Sequence, residues 1–204
     1  MREIAVIDYG MCNLDSVYRA IEKCGGKPFI TNDPDVLVHS SHIVLPGVGA
    51  FFDAMENLKM LSLIEPLHEI ASTRNVAILG ICLGMHLLAT RGTEGREIPG
   101  LDLIKGAVLR LQPSNNSERI PHIGWNEVHF ENKNVLLDGI SSGSDFYFVH
   151  SYHFDCDPKY QIATTPFANN FNSVVATDNI FGVQFHPEKS QLLGFKVLEN
   201  FLSI

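Results

Sequence analysis

Short apolar runs alternate with amphipathic segments through the first half of the chain. Residues 3–8, 27–30 and 42–45 read as buried strands, and over 13–24 the apolar residues recur at helical spacing. Residues 51–72 continue with further helical periodicity. Strand and helix in repeated alternation predict a parallel sheet with helices on both faces, which is a doubly wound α/β fold. Ligands of such sheets bind beyond the carboxyl ends of the strands.

The second half of the chain has a different pattern. Short β-rich runs follow one another closely, which is typical of antiparallel strands that extend a sheet. These runs cover residues 107–111, 124–130, 146–149, 161–165, 173–176 and 180–185. A final amphipathic helix is predicted over 191–201. The polar loops at 91–99 and 113–118 do not look like linkers, so residues 1–204 are predicted to form a single domain with a mostly parallel sheet and antiparallel extensions.

Composition and charge narrow the function classes. The chain has 204 residues, of which 45% are hydrophobic and 19% charged, and its formal net charge is -8. A negative chain without a Lys/Arg cluster is not expected to bind nucleic acid or an anionic membrane. No apolar run reaches spanning length and the start of the sequence does not resemble a signal peptide, so a cytoplasmic location is expected.

Cysteine usage argues against disulfides and metals. The four cysteines are Cys12, Cys24, Cys82 and Cys156. They form no CxxC pair, and no histidine cluster accompanies them at zinc-ligand spacing. The glycine-rich stretch 46–49 lacks the Lys-Ser/Thr of a Walker-type phosphate loop. Neither a metal nor a cofactor is expected.

Cys82 lies in a Gly-x-Cys-x-Gly motif between a strand-like run and a helix-like run. This pattern is typical of a nucleophile elbow, in which a sharp turn presents one side chain at the bend. Gly80 and Gly84 would let strand and helix approach each other closely. The start of the helix would favour a thiolate and offer the backbone N–H of Leu83 to an oxyanion. The alternative is a buried structural cysteine, which is preferred unless a base is found.

His186 is the candidate base. It follows the apolar run 180–185 in the sequence His186-Pro187-Glu188, where alternate residues of an extended segment point to one side. Pro187 restricts both its own backbone and that of His186, so the imidazole and the Glu188 carboxylate are held side by side. Glu188 would orient the imidazole, and His186 would take the proton of Cys82. A plain surface turn is the alternative interpretation of this motif alone.

Together the two motifs resemble those of class I, triad-type glutamine amidotransferases. Four further stretches, 7–11, 45–51, 121–126 and 147–152, resemble the glutaminase subunits of imidazole glycerol phosphate synthase, and the likeness runs over about 4–201. The resemblance implies a flavodoxin-like amidotransferase domain that hydrolyses L-glutamine through a γ-glutamyl thioester. Cys82 would attack the side-chain amide, and His186 would protonate the leaving ammonia and then activate water.

The resemblance also implies a substrate pocket. The N–H groups of Val48 and Leu83 would form the oxyanion hole, with the Val48 peptide turning toward the tetrahedral intermediate. The implied substrate contacts are Gly47, His86, Ser151 and Tyr152. Without the resemblance, 46–49 could equally be a plain turn and Tyr152 a core aromatic residue.

A partner subunit is implied as well. Ammonia released into water at neutral pH is mostly protonated and useless as a nucleophile, so it must pass along a sequestered path. The chain carries no synthase site of its own, and the family's partner is a (β/α)₈-barrel cyclase that forms a heterodimer with the glutaminase. The implied interface residues are Asn13, Trp125, Asn126 and Lys189.

Three positions depart from the family pattern. His86 stands where the family has a glutamine that recognises the carboxylate end of the substrate, and imidazole can still donate a hydrogen bond there. Cys12 replaces a glycine and Asp15 a basic residue near the expected partner face. These changes leave open an alternative partner, a synthase that adds ammonia to a nucleotide sugar in surface polysaccharide synthesis.

Two other function classes remain as rivals. A non-catalytic scaffold subunit would keep the fold but not the complete set of Cys82, His186 and Glu188. A self-standing thiol hydrolase would use the same three residues but would need neither the Ser151-Tyr152 pocket nor the interface motifs. Turnover of glutamine without stimulation by any partner would favour the second rival.

Overall fold

The helices and strands follow the predicted order closely. The computed structural model describes residues 3–73 and 76–204. The strands are β1 (Glu3–Ile7), β2 (Lys27–Thr31), β3 (His42–Leu45), β4 (Ala77–Ile81), β5 (Arg91–Gly92), β6 (Ile98–Pro99), β7 (Gly106–Arg110), β8 (His122–Val128), β9 (Ser144–His150), β10 (Tyr152–Cys156), β11 (Gln161–Thr165), β12 (Phe171–Thr177) and β13 (Ile180–Val183). The helices are α1 (Leu14–Lys23), α2 (Pro34–Leu37), α3 (Phe51–Met60), α4 (Ile64–Thr73), α5 (Leu83–Leu87) and α6 (Gln191–Leu202).

A parallel sheet forms the centre of the fold. Its strands lie in the order β2-β1-β3-β4-β13, and each neighbouring pair is parallel. The first four strands of this order follow the 2-1-3-4 pattern of flavodoxin-like sheets. The predicted α/β fold with a doubly wound sheet is confirmed.

The sheet separates two apolar cores. Along β1, Ile4 and Val6 face one side while Ala5 and Ile7 face the other, since successive side chains of a strand alternate. Helices α1 and α6 cover the first side, and α3, α4 and α5 cover the second. Helix α1 buries Val17, Ala20 and Ile21 at the spacing that the sequence predicted.

Antiparallel strands extend the sheet beyond β13, as predicted. They follow in the order β12, β10 and β7, with β11 paired to β12. Strand β10 was not predicted, because its sequence Tyr-His-Phe-Asp-Cys has too few apolar residues to stand out. The prediction that residues 124–130 and 146–149 extend the main sheet is wrong. Strands β8 and β9 pair with each other in a separate two-stranded sheet.

The carboxyl ends of the central strands bring the predicted loops to one edge. The loop after β1, residues 46–49 after β3, the elbow after β4 and His186 after β13 all follow parallel neighbours in the sheet. Within residues 3–73 and 76–204, no helix has the length and apolar character needed to cross a membrane.

Candidate active site

Cys82 occupies a strained turn between β4 and α5. Its backbone has φ 54 and ψ -108, which is outside the regions that side-chain-bearing residues favour. Any Cβ at Gly84 would overlap the carbonyl oxygen of Leu45, and one at Gly80 would come within 2.6 Å of the Gly84 carbonyl oxygen. Both glycines are therefore needed for the close approach of strand and helix. The nucleophile elbow predicted from the sequence is present.

His186 and Glu188 form a buried pair after β13. His186 Nδ1 lies 2.8 Å from Glu188 Oε1, and both side chains are 3% exposed. The backbone of His186 is extended, as the following proline predicted, and 187–189 form a 3₁₀ turn. The His186 N–H donates to Tyr147 O at 2.9 Å, and Ser190 Oγ donates to His186 O at 2.7 Å. These bonds fix the backbone of His186, and the contact with Glu188 orients the imidazole.

The protonation of His186 suits a general base. Burial alone would lower its pKa, but interactions with Cys82 and Glu188 raise the pKa of His186 to about 9. Because Nδ1 donates to the carboxylate, a neutral ring has its lone pair on Nε2. That atom is buried and has no hydrogen-bond partner among the described residues. Nε2 is therefore open to a proton donor in the cleft, and the interaction with Cys82 that helps to raise the His186 pKa favours a thiolate–imidazolium pair.

A cleft of about 300 Å³ lies over the elbow. Its lining residues are Val48, Gly49, Cys82, Leu83, His86, Glu94, Pro121, Val149, His150, Ser151, Tyr152 and His186. Most of these residues are among those predicted from the sequence. Gly47 and Glu188 are not among the lining residues. The Gly47 carbonyl accepts the Leu83 N–H, and Glu188 contacts the imidazole at Nδ1. The size suits a small polar molecule such as an amino acid.

Glu94 is a lining residue that sequence reasoning missed. It lies in the polar loop between β5 and β6, and its Oε2 accepts a hydrogen bond from the Phe51 N–H at 2.8 Å. A single glutamate in a polar loop gave no signal, since such residues are usually solvated surface. Only the fold brings this carboxylate to the cleft.

A chain of buried histidines supports the Ser151-Tyr152 wall. His150 Nδ1 donates to Tyr152 O at 2.8 Å, and His150 Nε2 lies 3.0 Å from His122 Nδ1. Asn126 Nδ2 completes the chain at 3.1 Å from His122 Nε2. Burial lowers the pKa of His122 to about 4 and that of His150 well below its ordinary value. Both rings are therefore neutral at pH 7 and act as fixed hydrogen-bonding groups.

The two predicted oxyanion donors are occupied in this structure. The Val48 N–H donates to Met11 O at 2.8 Å, and the Leu83 N–H donates to Gly47 O at 3.3 Å. The prediction that the Leu83 N–H is free is therefore wrong for this structure. Residues 46–49 must move before either group can bind an oxyanion.

His86 lies at the base of the cleft and is 5% exposed. Its Nε2 is 2.7 Å from Gln184 Oε1, and burial lowers the pKa of His86 to about 4. The ring is therefore neutral at pH 7 and offers no positive charge to a carboxylate. Its N–H is already used within the chain.

The predicted interface residues divide into two groups. Trp125 is 48% exposed, and its neighbour Ile123 is 60% exposed. The Trp125 ring meets the Tyr147 ring edge-on, with 6.0 Å between the centroids. Lys189 is exposed, with Nζ 6.0 Å from the same Tyr147 ring. Asn13, just before α1, is exposed too. These side chains are available to a partner.

Asn126 differs from the other three. Its side-chain amide donates to His122, inside the chain. Its place in an interface stays a prediction. Among the described residues no three metal-ligating side chains are grouped in a way that could hold a metal ion.

Residues 5–203 match the family model described as glutamine amidotransferase class-I. The chain belongs to this family. The match agrees with the resemblance that the Cys82 and His186 motifs indicated.

Relatives of similar length share nearly half of the sequence. Imidazole glycerol phosphate synthase subunit HisH 2 of Methanococcus maripaludis is 48% identical over 200 residues, covering 98% of each chain. Subunit HisH of Moorella thermoacetica is 45% identical, covering 98% of this chain and 94% of the relative. Subunit HisH of Archaeoglobus fulgidus is 43% identical and covers 98% of each.

Solved structures of more distant proteins share the fold. One described as a glutamine amidotransferase has a TM-score of 0.76 at 15% identity, with 98% of this chain and 97% of that chain covered. PurLQS from Thermotoga maritima has a TM-score of 0.72 at 22% identity, covering 100% of this chain and 99% of that one. These likenesses support the amidotransferase fold.

We expect Glu188→Gln to lower kcat for glutamine hydrolysis roughly 10- to 100-fold, the range of one hydrogen bond to a charged group. The amide can still accept from His186 Nδ1, but it no longer stabilises the imidazolium. Steady-state kinetics of the two proteins measure the change. Glu127→Gln is the matched control, because Glu127 makes the same kind of contact to His129 at 2.8 Å on the exposed surface.

The same variant should change the pH dependence of stability. A His186 pKa raised from 6.5 to about 9 stabilises the folded chain fully below pH 6.5, and this contribution is lost as pH rises through about 9. In Glu188→Gln the loss should be smaller and should occur at lower pH. Urea unfolding across this range measures it. An unchanged pH profile together with unchanged kcat would rule out Glu188 as the partner of the base.

Proposed function

We propose that residues 1–204 form one domain that acts as the glutaminase subunit of an imidazole glycerol phosphate synthase in histidine biosynthesis. The observation that carries the proposal is the full-length similarity to HisH subunits at 41–48% identity, combined with Cys82 and the His186–Glu188 pair at one cleft. The reaction is hydrolysis of L-glutamine to glutamate and ammonia.

The geometry supports a thioester mechanism in two halves. His186 Nε2 takes the proton of Cys82, and the thiolate attacks the side-chain amide carbon of glutamine. The tetrahedral intermediate collapses when imidazolium donates its proton to the departing ammonia. The freed base then takes a proton from water, whose oxygen attacks the thioester carbon. The C–S bond breaks, glutamate leaves, and Cys82 returns to the thiolate beside the His186 imidazolium. Glu188 keeps Nδ1 protonated throughout, so Nε2 alone exchanges protons.

The cleft offers complementary groups for the substrate. Glu94 supplies a carboxylate that suits the α-ammonium group of glutamine, and Ser151 and Tyr152 supply the wall supported by the histidine chain. Val48 and Leu83 are proposed as oxyanion donors after the loop has moved, and Gly47 is proposed as a substrate contact in the same loop. The scissile amide of glutamine would then lie over Cys82.

A partner receives the ammonia. The exposed Ile123, Trp125 and Lys189 form an apolar patch with one positive charge, which is suited to a protein interface. We propose a (β/α)₈-barrel cyclase subunit as the partner and a cytoplasmic heterodimer as the assembly. The HisH names of the relatives favour this partner over a nucleotide-sugar synthase.

The test is glutamine-dependent product formation. The purified chain is mixed with the cyclase subunit of a histidine pathway and its phosphorylated ribonucleotide substrate, and imidazole glycerol phosphate is measured with glutamine as the only nitrogen source. Product is expected with the native chain, and Trp125→Asp should weaken the pairing at least tenfold in titrations. Glutamine turnover without any product would remove the histidine-pathway assignment and favour the nucleotide-sugar alternative.

A further inference from the structure

A buried polar pair lies beside the nucleophile and is not used by the mechanism above. His86 is on α5, one helical turn after Cys82, and Gln184 lies between β13 and the base His186. Gln184 is fully buried and His86 is 5% exposed. The backbone N–H of Gln184 donates to Ser173 O at 2.9 Å, and this bond anchors Gln184 beside the sheet. The pair therefore connects the elements that carry nucleophile and base.

The side-chain amide of Gln184 has two different neighbours. Its Oε1 lies 2.7 Å from His86 Nε2, and its Nε2 lies 3.9 Å from Cys82 Sγ. The second contact is long but allowed for a donor to sulfur. The Val149 carbonyl oxygen also lies 3.9 Å from Sγ, and an acceptor there disfavours a thiolate. An N–H donor from Gln184 offsets this effect.

The orientation of the amide decides which group faces the sulfur. If the amide were reversed, its oxygen would face Cys82 and would repel the thiolate electrostatically. A neutral imidazole with its proton on Nε2 can donate only to an oxygen, so it holds Oε1 toward itself. Burial keeps His86 neutral at pH 7, so the ring carries one proton, and with Gln184 Oε1 at 2.7 Å that proton lies on Nε2.

We propose that His86 is a positioning residue that locks the Gln184 amide so that its N–H donates to the Cys82 thiolate. The inference rests on the glutaminase function proposed above only for the identity of the nucleophile. The hydrogen bond is strongest with the free thiolate and weakens when sulfur is acylated, since a thioester sulfur is a poor acceptor. Loss of the lock should therefore slow attack by Cys82 without changing the contacts that bind glutamine.

Alkylation of Cys82 by iodoacetamide isolates this effect. The reaction needs a thiolate but forms no oxyanion, so the state of residues 46–49 does not enter. We expect His86→Leu to lower the second-order rate constant at pH 7 about tenfold, the low end of the range for a hydrogen bond to a charged group. The KM for glutamine should change less than twofold. His86→Gln should restore most of the rate, because its amide N–H can also donate to Gln184.

Further variants distinguish loss of the His86–Gln184 hydrogen bond from a general loss of folded structure. Gln184→Met removes the amide in a similar volume and should lower the rate about as much as His86→Leu, and the double variant should show no further loss. His68→Leu is the matched control, since His68 is exposed on α4. Thermal unfolding checks that each variant is folded. If His86→Leu fails to fold, His86→Gln and Gln184→Met carry the comparison.

The outcomes separate this inference from the proposed function. An unchanged alkylation rate in both His86→Leu and Gln184→Met would overturn the inference, and a raised KM in that case would place His86 in contact with the substrate instead. Failure of the native chain to hydrolyse glutamine, with or without the cyclase, would reject the proposed function. Slower alkylation of the variants would then still support the lock.

Discussion

A Cys82→Ser variant is expected to lose glutaminase activity by a factor on the order of 10⁴ or more while keeping its fold. Serine differs from cysteine by one atom, so the strained backbone and the cleft should be retained. Its hydroxyl has a far higher pKa than a thiol and does not form the thiolate on which the reaction depends. Release of glutamate by the native chain and the variant, each with the cyclase present, measures the loss.

Chemical labelling provides the control for this assignment. Burial raises the pKa of Cys12 and Cys24 to about 11 and that of Cys156 to about 12, so these thiols are protonated at pH 7 to 8. A glutamine-like electrophile should therefore modify Cys82 alone. Modification of another cysteine, with Cys82 intact and activity lost, would move the nucleophile elsewhere.

The elbow and the base could be predicted because their chemistry is local in sequence. Two glycines around a cysteine are required by backbone contacts that lie within a few residues, apart from the Leu45 carbonyl. His186 and Glu188 are separated by one residue, and a proline fixes their relative orientation. The periodicity of the first half predicted the parallel sheet for a similar reason, since β1, β3 and β4 are buried along nearly their whole length and read as apolar runs.

Other features depend on contacts between distant segments. Glu94 reaches the cleft only because the loop between β5 and β6 folds back on Phe51. Strands β8 and β9 pair with each other outside the main sheet. The alternation of apolar and polar residues in a strand does not reveal which strand it will pair with. The hydrogen bond between His86 and Gln184 joins residues that are far apart in the chain. No local pattern encodes which polar group such a residue will meet.

The conformation of residues 46–49 could not be predicted from the sequence. It determines how strongly a partner can activate glutamine hydrolysis. With the Val48 N–H on Met11 O, and the Leu83 N–H on Gly47 O, neither donor faces the cleft. One missing oxyanion donor costs on the order of 10²- to 10³-fold in rate. Gly49 has φ +108, a conformation that favours glycine, so a change at this turn has few steric barriers.

We therefore expect the isolated chain to hydrolyse glutamine slowly and the cyclase, loaded with its own ligand, to raise kcat about 100- to 1,000-fold with little change in KM. The oxyanion contact exists mainly in the transition state, so its formation acts on kcat. Val48→Pro removes the N–H donor and should limit the activation to less than about tenfold, whereas Val48→Ala keeps the N–H and should be activated like the native chain. Steady-state kinetics with and without the cyclase and its ligand provide the measurement. Full activity of the isolated chain would show that the loop is no barrier, and normal activation of Val48→Pro would show that another group stabilises the oxyanion.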